Sequence, residues 1–483
     1  MLKKLLPLIS LVLLLGACNV FAGAVGVFED TADIGLKHNQ IGHTVQGPSE
    51  LRGDTLVDTY VMSAGGADIE GSADEFHYAY KSMTGSFRVT ANFDGWTAVD
   101  EAWAKYGVML RLDVDPDSVN YFAMNRRNGD RLRLQIRGEK GGSTISVGEQ
   151  RPSPPQMWNL GIQRVNLGGF TFVEALVDYG NGWELIAPAT SRLVYGLPDT
   201  VMAGVAMTAR KDTDAADKPA AELENSHLAQ IRFSDVQYTL NPTPFVQAPV
   251  VAAEAAGPDP AKPAGFMIRS IKAQFTEGWN IDEANKLLDF GCTGPMCIAP
   301  GMPIPGIEEG IRHSQFVNLY DTGSRGLFNA DNGYPDETFP GIDPFEMPAA
   351  DTGGGDDDNQ FATEVQAIIQ LTAGYHMIGA RHDDDIYIEI GGVEVGAVTT
   401  WDNNNTSDFL FEVAADGFYP LRVRSREGGG GAHLELHEIF ADGTRILLGD
   451  VTNGGSPVFV PEPATIALLG LGGLALIGIR RKR

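Results

Sequence analysis

The chain has 483 residues, which is more than a single core of usual size and indicates two to three domains. Its formal net charge of -27 excludes a nucleic-acid partner, because clustered lysine and arginine bind a phosphate backbone. The same acidity is typical of a solvated exterior protein and, where acidic residues cluster, of calcium binding.

The N-terminal stretch MLKKLLPLISLVLLLGACNVFA, residues 1–22, has the layout of a secretory signal peptide. Lys3 and Lys4 precede an uncharged apolar run, which ends in small residues. Processing after Ala22 is favoured over lipidation of Cys18, because Gly before Ala suits a lipoprotein site less well than Ala or Ser. Either route predicts that the mature chain leaves the cytoplasm.

Short strand patterns fill the first half of the chain, residues 24–245. Segments such as SFRVTANF, RLRLQIRG and FTFVEALVDY are alternating or β-branched, and Gly, Asn and Asp turns separate them. Such a pattern predicts an all-β fold built from β-sandwiches. Gly85 is expected to turn a hairpin. Five residues are expected to line one core: Phe76, Tyr78, Tyr80, Val108 and Leu110.

Two stretches of this half, GADIEGSADEFHYAYKSMTGSFRVTANF at 66–93 and WAKYGVMLRL from Trp103, carry a family resemblance. They resemble the concanavalin-like, LamG-type jelly-roll domains of secreted bacterial proteins, often grouped with the DUF1349 family. The resemblance implies a jelly-roll sandwich whose function lies on its loops or its concave sheet. Trp96, Trp103 and Trp183 are the candidate rings for stacking against sugars.

Some enzymes of this fold are glycosidases with two carboxylates in an E-x-D-x-E pattern, which places acid and nucleophile on one face of a strand. That motif does not occur in this sequence. The nearest pairs, Asp74 with Glu75 and Asp100 with Glu101, are adjacent and would point to opposite faces of a strand. Because the carboxylate motif is missing, a glycoside-active enzyme is the alternative hypothesis and not the favoured one.

The segment 246–265 contains QAPVVAAEAAGPDPAKPAG, whose Ala and Pro content predicts a semi-rigid linker. Beyond it, IDEANKLLDF from Ile281 predicts a short helix.

Cys292 and Cys297 in GCTGPMCIAP are the remaining cysteines beside Cys18. An exported protein with one close pair most simply forms a local disulfide, and a zinc site would need a second pair.

The second half carries another resemblance, on NQFATEVQAIIQLTAGYHMIGARHDDDIYIEIGG and FYPLRVRSREGGGGAHLEL, within residues 359–436. These stretches resemble a PA14 domain, and the likeness extends over about 266–452. The resemblance implies a second β-sandwich, used mainly for glycan binding and adhesion.

In one branch of that family, two successive aspartates joined by a cis peptide hold a calcium ion that binds sugar hydroxyls. The resemblance places this pair at Asp383 and Asp384, the predicted ligand and metal site. Asp385 stands where the family usually has Gly, and Gly391 where it usually has Asp. Acidic stretches 356–358 and 402–405 could add oxygen ligands, or could be solvated loops.

His433, Glu435 and His437 alternate in AHLELHEI and share one face of a predicted strand. That spacing is geometrically possible for a zinc site. The favoured interpretation is a polar face in contact with solvent, with Leu434 and Leu436 buried on the opposite face.

The C-terminus has a tripeptide, an apolar run and a basic end, in that order. Pro461, Glu462 and Pro463 precede an uncharged stretch at 464–479, and four basic residues follow it. The stretch is short for a comfortable membrane span, and the basic end is expected on the cytoplasmic side. The order within 460–483 resembles the bacterial PEP-CTERM sorting signal, which an exosortase removes. An ordinary tail anchor is the alternative.

These patterns together predict two β-sandwich domains in an exported protein. It is expected to be anchored in the inner membrane before processing and then sorted to the cell surface. The predicted function is non-catalytic binding of an extracellular polysaccharide or glycan, with calcium as the candidate cofactor. The alternatives are a glycoside-active enzyme and a purely structural matrix component.

Overall fold

The structure is a computed structural model of the chain. It describes residues 24–35, 42–52, 54–98, 102–126, 131–150, 158–210, 229–252, 264–272, 281, 285, 288, 309–320, 327–328, 333–334, 337–340, 361–399, 405–427 and 432–461. The chain divides into two compact units. The first unit is Met1–Asn166 with Thr171–Phe245, and the second unit is Leu167–Phe170 with Val246–Arg483.

The described part of the first unit consists of β-strands and one short 3-10 helix at Pro188–Thr190. Its strands are β1 (Asp30–Ile34), β2 (His43–Gln46), β3 (Glu50–Arg52), β4 (Thr55–Val57), β5 (Thr59–Ala64), β6 (Ile69–Glu70), β7 (Ala73–Asp74), β8 (Phe76–Thr84), β9 (Phe87–Ala98), β10 (Lys105–Arg111), β11 (Asn120–Arg126), β12 (Arg131–Arg137), β13 (Ile145–Gln150), β14 (Trp158–Leu167), β15 (Phe170–Asp178), β16 (Trp183–Leu185), β17 (Ser191–Val194), β18 (Thr200–Thr208) and β19 (Ala229–Leu240).

Two sheets pack face to face in the first unit. Sheet A has the strand order β1-β8-β18-β10-β11-β12-β13, and sheet B has the order β16-β15-β14-β9-β19-β5-β2. Alternate residues of both sheets meet in one buried core, where the ring centres of Phe93 from sheet B and Tyr106 from sheet A lie 4.7 Å apart. The period of two along each strand thus builds the predicted β-sandwich.

The face of sheet A that points away from sheet B is buried as well. Phe76, Tyr78 and Tyr80 pack on that face, whereas Val108 and Leu110 lie in the core between the sheets. The prediction of one shared core is therefore wrong. Strands β8 and β10 are enclosed on both faces, so alternation alone does not say which face meets sheet B.

Gly85 forms the turn after β8, with a φ of 73° in the left-handed region that glycine favours. The strands on either side of it belong to different sheets, β8 to sheet A and β9 to sheet B. The predicted hairpin is therefore a crossing between sheets, because a glycine turn reverses the chain without specifying the partner of the next strand.

The described part of the second unit is also strand-rich. Its strands are β20 (Val250–Val251), β21 (Phe266–Lys272), β22 (Glu309–Ser314), β23 (Asn318–Tyr320), β24 (Phe361–Leu371), β25 (Gly374–His382), β26 (Asp385–Ile390), β27 (Val393–Val398), β28 (Asn405–Val413), β29 (Gly417–Glu427), β30 (His433–Ile439), β31 (Arg445–Leu447) and β32 (Val458–Phe459).

These strands form a second sandwich around its own core. Sheet C has the order β20-β28-β25-β30-β23 with β31 paired to β30, and sheet D has the order β22-β21-β24-β29-β26-β27 with β32 paired to β24. Buried apolar residues from both sheets form one cluster. The all-β prediction is confirmed for both units.

The predicted linker and the predicted short helix both lie in the second unit. The predicted linker is not free chain throughout, because Val250–Val251 pairs parallel with β28 and Val251 is fully buried. Apolar valines in an Ala/Pro-rich stretch were enough to add a strand. The predicted short helix is confirmed where the structure describes it: Ile281, Asn285 and Leu288 are helical, and Leu288 is buried.

Candidate functional site

The predicted pair Asp383 and Asp384 lies in the short turn between β25 and β26. Asp384 has a φ of 53°, a left-handed conformation that aspartate tolerates better than most residues. Its N–H donates to Asp383 Oδ1 at 2.9 Å, and His382 Nδ1 donates to its carbonyl oxygen at 2.7 Å. Burial lowers the pKa of His382, so the ring is neutral and Nε2 accepts from the Ser407 hydroxyl at 3.0 Å.

A guanidinium faces the buried carboxylates of this turn. Arg426 on β29 lies directly opposite Asp385 in the antiparallel pair. Its Nε donates to Asp385 Oδ2 at 2.9 Å, and its Nη2 lies 3.5 Å from Asp384 Oδ2. All three side chains are at most 7 % exposed. Because buried charge requires a partner, Arg426 supplies the positive charge of this turn.

These contacts do not fit the calcium ion that the family resemblance implies. Calcium takes about six to eight oxygen ligands, yet two carboxylates of the turn already face a guanidinium. Within the described residues, no group of three or more His, Cys, Asp or Glu side chains could hold a metal ion. Peptide bonds of the described residues are trans, unlike the family's aspartate pair. The acidic residues 356–358 and 402–404 lie outside the described residues.

We expect calcium to leave the melting temperature of the wild-type chain unchanged, because a bound ion would have to displace Arg426 from enclosed carboxylates. Arg426→Gln should instead lower the stability of the second unit by about 3–5 kcal/mol, since it leaves two buried acids without their cation. Differential scanning calorimetry in calcium and in chelator measures both effects.

The matched control is Arg312→Gln, which removes a partly exposed arginine paired with Glu337 in the same unit. It should change the melting temperature little. The expectation would be contradicted if calcium raised the melting temperature of the wild type and Asp384→Asn abolished that rise. Such a result would show that the turn binds calcium.

The alternating face of β30 is enclosed rather than solvated. His433, Glu435 and His437 are 2 %, 1 % and 0 % exposed, so the prediction of a solvent-facing strand is wrong. Leu434 and Leu436 fill the core on the opposite face, as predicted.

A distant segment covers this face of β30. The backbone N–H groups of Leu327 and Phe328 donate to the two carboxylate oxygens of Glu435 at 2.9 and 3.0 Å. The Phe328 ring lies 5.8 Å from the His437 ring, centre to centre. Arg445 Nη1 donates to His437 Nε2 at 2.5 Å. The alternation of polar residues therefore reflects a buried polar layer.

Both histidines of this layer are held neutral. Burial and the neighbouring Arg445 lower the pKa of His437 to about 3. Burial, with Arg381 and His382 nearby, lowers the pKa of His433 to about 4. Neutral rings could bind a metal ion, but no metal-holding group exists among the described side chains. Because both pKa values are lowered, we expect these histidines to make the second unit sensitive to acid.

The two tryptophans predicted to bind ligand in the first unit differ in their surroundings. Trp96 is half-buried and packs edge-on against Tyr106 of the core, with ring centres 5.0 Å apart. Trp103 is 44 % exposed, and the guanidinium carbons of Arg126 and Arg210 lie 4.4 and 5.1 Å from its ring centre. Trp96 therefore packs in the core, and Trp103 already makes cation–π contacts.

Arg426 was missed by the sequence analysis, although a pattern was present. Arg422, Arg424 and Arg426 alternate in RVRSRE and share one face of β29. The Nε atoms of Arg422 and Arg424 both donate to Glu364, at 2.5 and 3.1 Å. Three arginines on one strand face predict buried acidic partners on neighbouring strands.

Several predicted residues lie outside the described part of the chain, and their roles stay predictions. They are Cys18, Cys292, Cys297, Glu462, Pro463 and the apolar stretch 464–479. Among the residues that are described, no helix has the length and apolar character needed to cross a membrane.

The fold and the C-terminus together define the class of this protein: an all-β protein of two sandwich units with a sorting signal at its end. Residues 459–483 match the PEP-CTERM protein-sorting motif. This match confirms the sorting signal predicted from Pro461 onward. It indicates export and sorting to the surface.

No curated protein matches the sequence of this chain. Among solved structures, the chain is similar to the epithelial adhesin 9 A domain of Candida glabrata, solved in complex with Galβ1-3GlcNAc, at 11 % identity and a TM-score of 0.29, covering 45 % of this chain and 97 % of that one. It is similar to a PA14 sugar-binding domain from an RTX adhesin, at 13 % identity and a TM-score of 0.25, over 38 % and 96 %. A third similar structure is the PA14 domain of the MpAFP antifreeze protein. The identity is 14 % and the TM-score 0.26, and the match covers 43 % of this chain and 98 % of that one.

Proposed function

We propose that this chain is an exported, surface-sorted, non-catalytic protein that binds extracellular glycan. The observation that carries the proposal is the sorting motif at 459–483, which directs the chain to the surface, where polysaccharides are abundant. The PA14-like sequence pattern at 359–436 supports a glycan ligand. A net charge of -27 favours neutral glycans, because polyanionic ones would be repelled.

The processing partner in this proposal is an exosortase-type enzyme. The segment 464–479 holds the chain in the inner membrane until the enzyme acts at the tripeptide Pro461, Glu462 and Pro463. The mature protein then belongs to the cell surface or the extracellular matrix. The sequence pattern and the motif match both support this order of events.

A glycan array probed with the full chain tests this function. We expect binding to neutral extracellular glycans and weaker binding to uronate-rich ones, because the protein is acidic. Binding should be equal in calcium and in chelator, since Arg426 supplies the cation of the predicted calcium turn.

Absence of binding to every neutral glycan on the array would contradict the proposal and favour a structural matrix component. Release of reducing sugar from a bound glycan would favour the enzyme.

A further inference from the structure

A polar groove opens on the face of sheet B that points away from the core of the first unit. Its volume is about 190 Å³. The side chains that matter for its chemistry are Asn92, Asn159, Asp178, Trp183, Asp235 and Gln237. Strands β9, β14, β15, β16 and β19 supply them, so five neighbouring segments converge on one small space.

An indole ring forms one wall of this groove. Trp183 opens β16 directly opposite Asp178 in the β15–β16 pair, and directly opposed residues lie on the same face of a sheet. The ring lies over Gly161, where a Cβ atom would stand only 3.1 Å from an indole carbon. Glycine at this position therefore leaves room for the half-buried ring to lie against the sheet. The guanidinium carbon of Arg88 lies 6.0 Å from the centre of the Trp183 ring, farther than the 4.4 and 5.1 Å of the two arginines at Trp103.

Two carboxylates beside the ring are held in fixed orientations. Asp178 Oδ1 accepts from the N–H groups of Gly180 and Gly182 at 2.7 and 2.9 Å. Asp235 lies at a β-bulge of β19 and has a left-handed φ of 50°. Gln237 Nε2 donates to its Oδ1 at 2.7 Å. Bulges and strained backbone cluster where a side chain is redirected toward a ligand.

Two amides complete the floor. Asn92 and Asn159 lie directly opposite each other on β9 and β14. Asn92 Oδ1 is enclosed and has no hydrogen-bond partner within the described part of the chain. An unpaired buried acceptor costs free energy, and rotating the amide toward a ligand would relieve that cost.

This combination of groups selects a class of ligand. A sugar ring has an apolar face of C–H groups, suited to an indole, and a rim of hydroxyls, suited to amides and carboxylates. The two aspartates disfavour anions, and the small volume suits about one sugar ring. We propose that this groove binds one neutral sugar residue, with its ring against Trp183 and its hydroxyls donating to Asp178 and Asp235. The inference rests on the proposed glycan-binding function and names the site for it.

The test uses fluorine NMR of the full chain labelled with 5-fluorotryptophan. The chain has six tryptophans, and each gives one fluorine resonance. Trp183→Phe assigns the resonance of the groove. The probes are neutral hexoses, pentoses, deoxyhexoses and N-acetylhexosamines, with galacturonate as the anionic probe and ethanolamine as the cationic one. We expect at least one neutral sugar to shift the Trp183 resonance, and galacturonate to bind about tenfold more weakly.

Substitutions then separate the groove from the rest of the unit. Trp183→Ala should weaken sugar binding about tenfold or more. Asp235→Asn should weaken it severalfold while keeping the backbone, because asparagine also tolerates a left-handed φ. The matched control is Tyr195→Ala, which removes an exposed aromatic ring of the same unit outside the groove and should leave sugar affinity unchanged. Far-ultraviolet circular dichroism and melting temperature confirm that each variant folds.

The outcomes distinguish this inference from the function on which it rests. If the array shows glycan binding but no neutral sugar shifts the Trp183 resonance, the groove assignment is wrong and the proposed function stands. A shift with ethanolamine alone would also overturn the assignment, in favour of an amine site. If neither the array nor the resonance responds, both proposals fail.

Discussion

Replacing Asp74 with alanine is expected to destabilise the first unit by about 3–5 kcal/mol, because it would leave two buried guanidiniums without a counter-charge. Asp74 is completely enclosed on β7. Its carboxylate accepts from Arg111 Nη1 at 2.6 Å, from both terminal nitrogens of Arg137 at 2.6 Å, and from Asn120 Nδ2 at 3.0 Å. One acid therefore joins β7 to three strands of sheet A.

Urea unfolding followed by pulse proteolysis measures this loss, because the fragments identify which unit has opened. The control is Asp115→Ala, which breaks the exposed pair with Lys140 in the same unit. Exposed pairs contribute little, so this variant should unfold close to wild type. Equal midpoints for Asp74→Ala and Asp115→Ala would show that the buried network does not stabilise the unit.

Acidification from about pH 7 to about pH 5 is expected to destabilise the second unit by about 2 kcal/mol for each of His433 and His437, which are buried and neutral. The folded pKa values of His437, about 3, and of His433, about 4, lie below the ordinary value of 6.5. The unfolded chain therefore binds more protons in this window. The stabilising contribution of the neutral histidines is fully present above about pH 6.5. It decreases as the pH is lowered, until the pH reaches the folded pKa values.

His437→Gln tests the sign and the size of this effect. Glutamine can still accept the hydrogen bond from Arg445 through its amide oxygen but does not titrate. Pulse proteolysis of both chains across the pH range should show a shallower loss of stability for the variant. The same pH dependence in the two chains would mean that His437 is not held neutral in the folded state.

The acid turn at Asp383 to Asp385 shows how far sequence reasoning reaches. The family pattern placed the turn directly after a strand, and the structure has it between β25 and β26. The charge that balances it comes from Arg426, 41 residues beyond Asp385 in the chain. Register between β26 and β29 decides that pairing, and register depends on the packing of whole sheets.

The strand around Glu435 shows the same limit of a local sequence pattern. Alternation in AHLELHEI correctly separated Leu434 and Leu436 from the polar residues. It could not report that Leu327 and Phe328, more than one hundred residues earlier, bind the Glu435 carboxylate. Alternation distinguishes two faces of a strand, but solvent is only one of the surroundings that suit a polar face.

By itself, the amino-acid sequence determined the strand-rich class, the short helix at Ile281 and the sorting signal at the C-terminus, because each is encoded in contiguous residues. Only the tertiary structure decided which strand faces meet, that Asp74 lies between two arginines, and that Trp183 and Asp235 border one groove. These features join residues that are distant in the chain. Their contacts form only when both sheets of a sandwich have set their register and bulges, which no local pattern specifies.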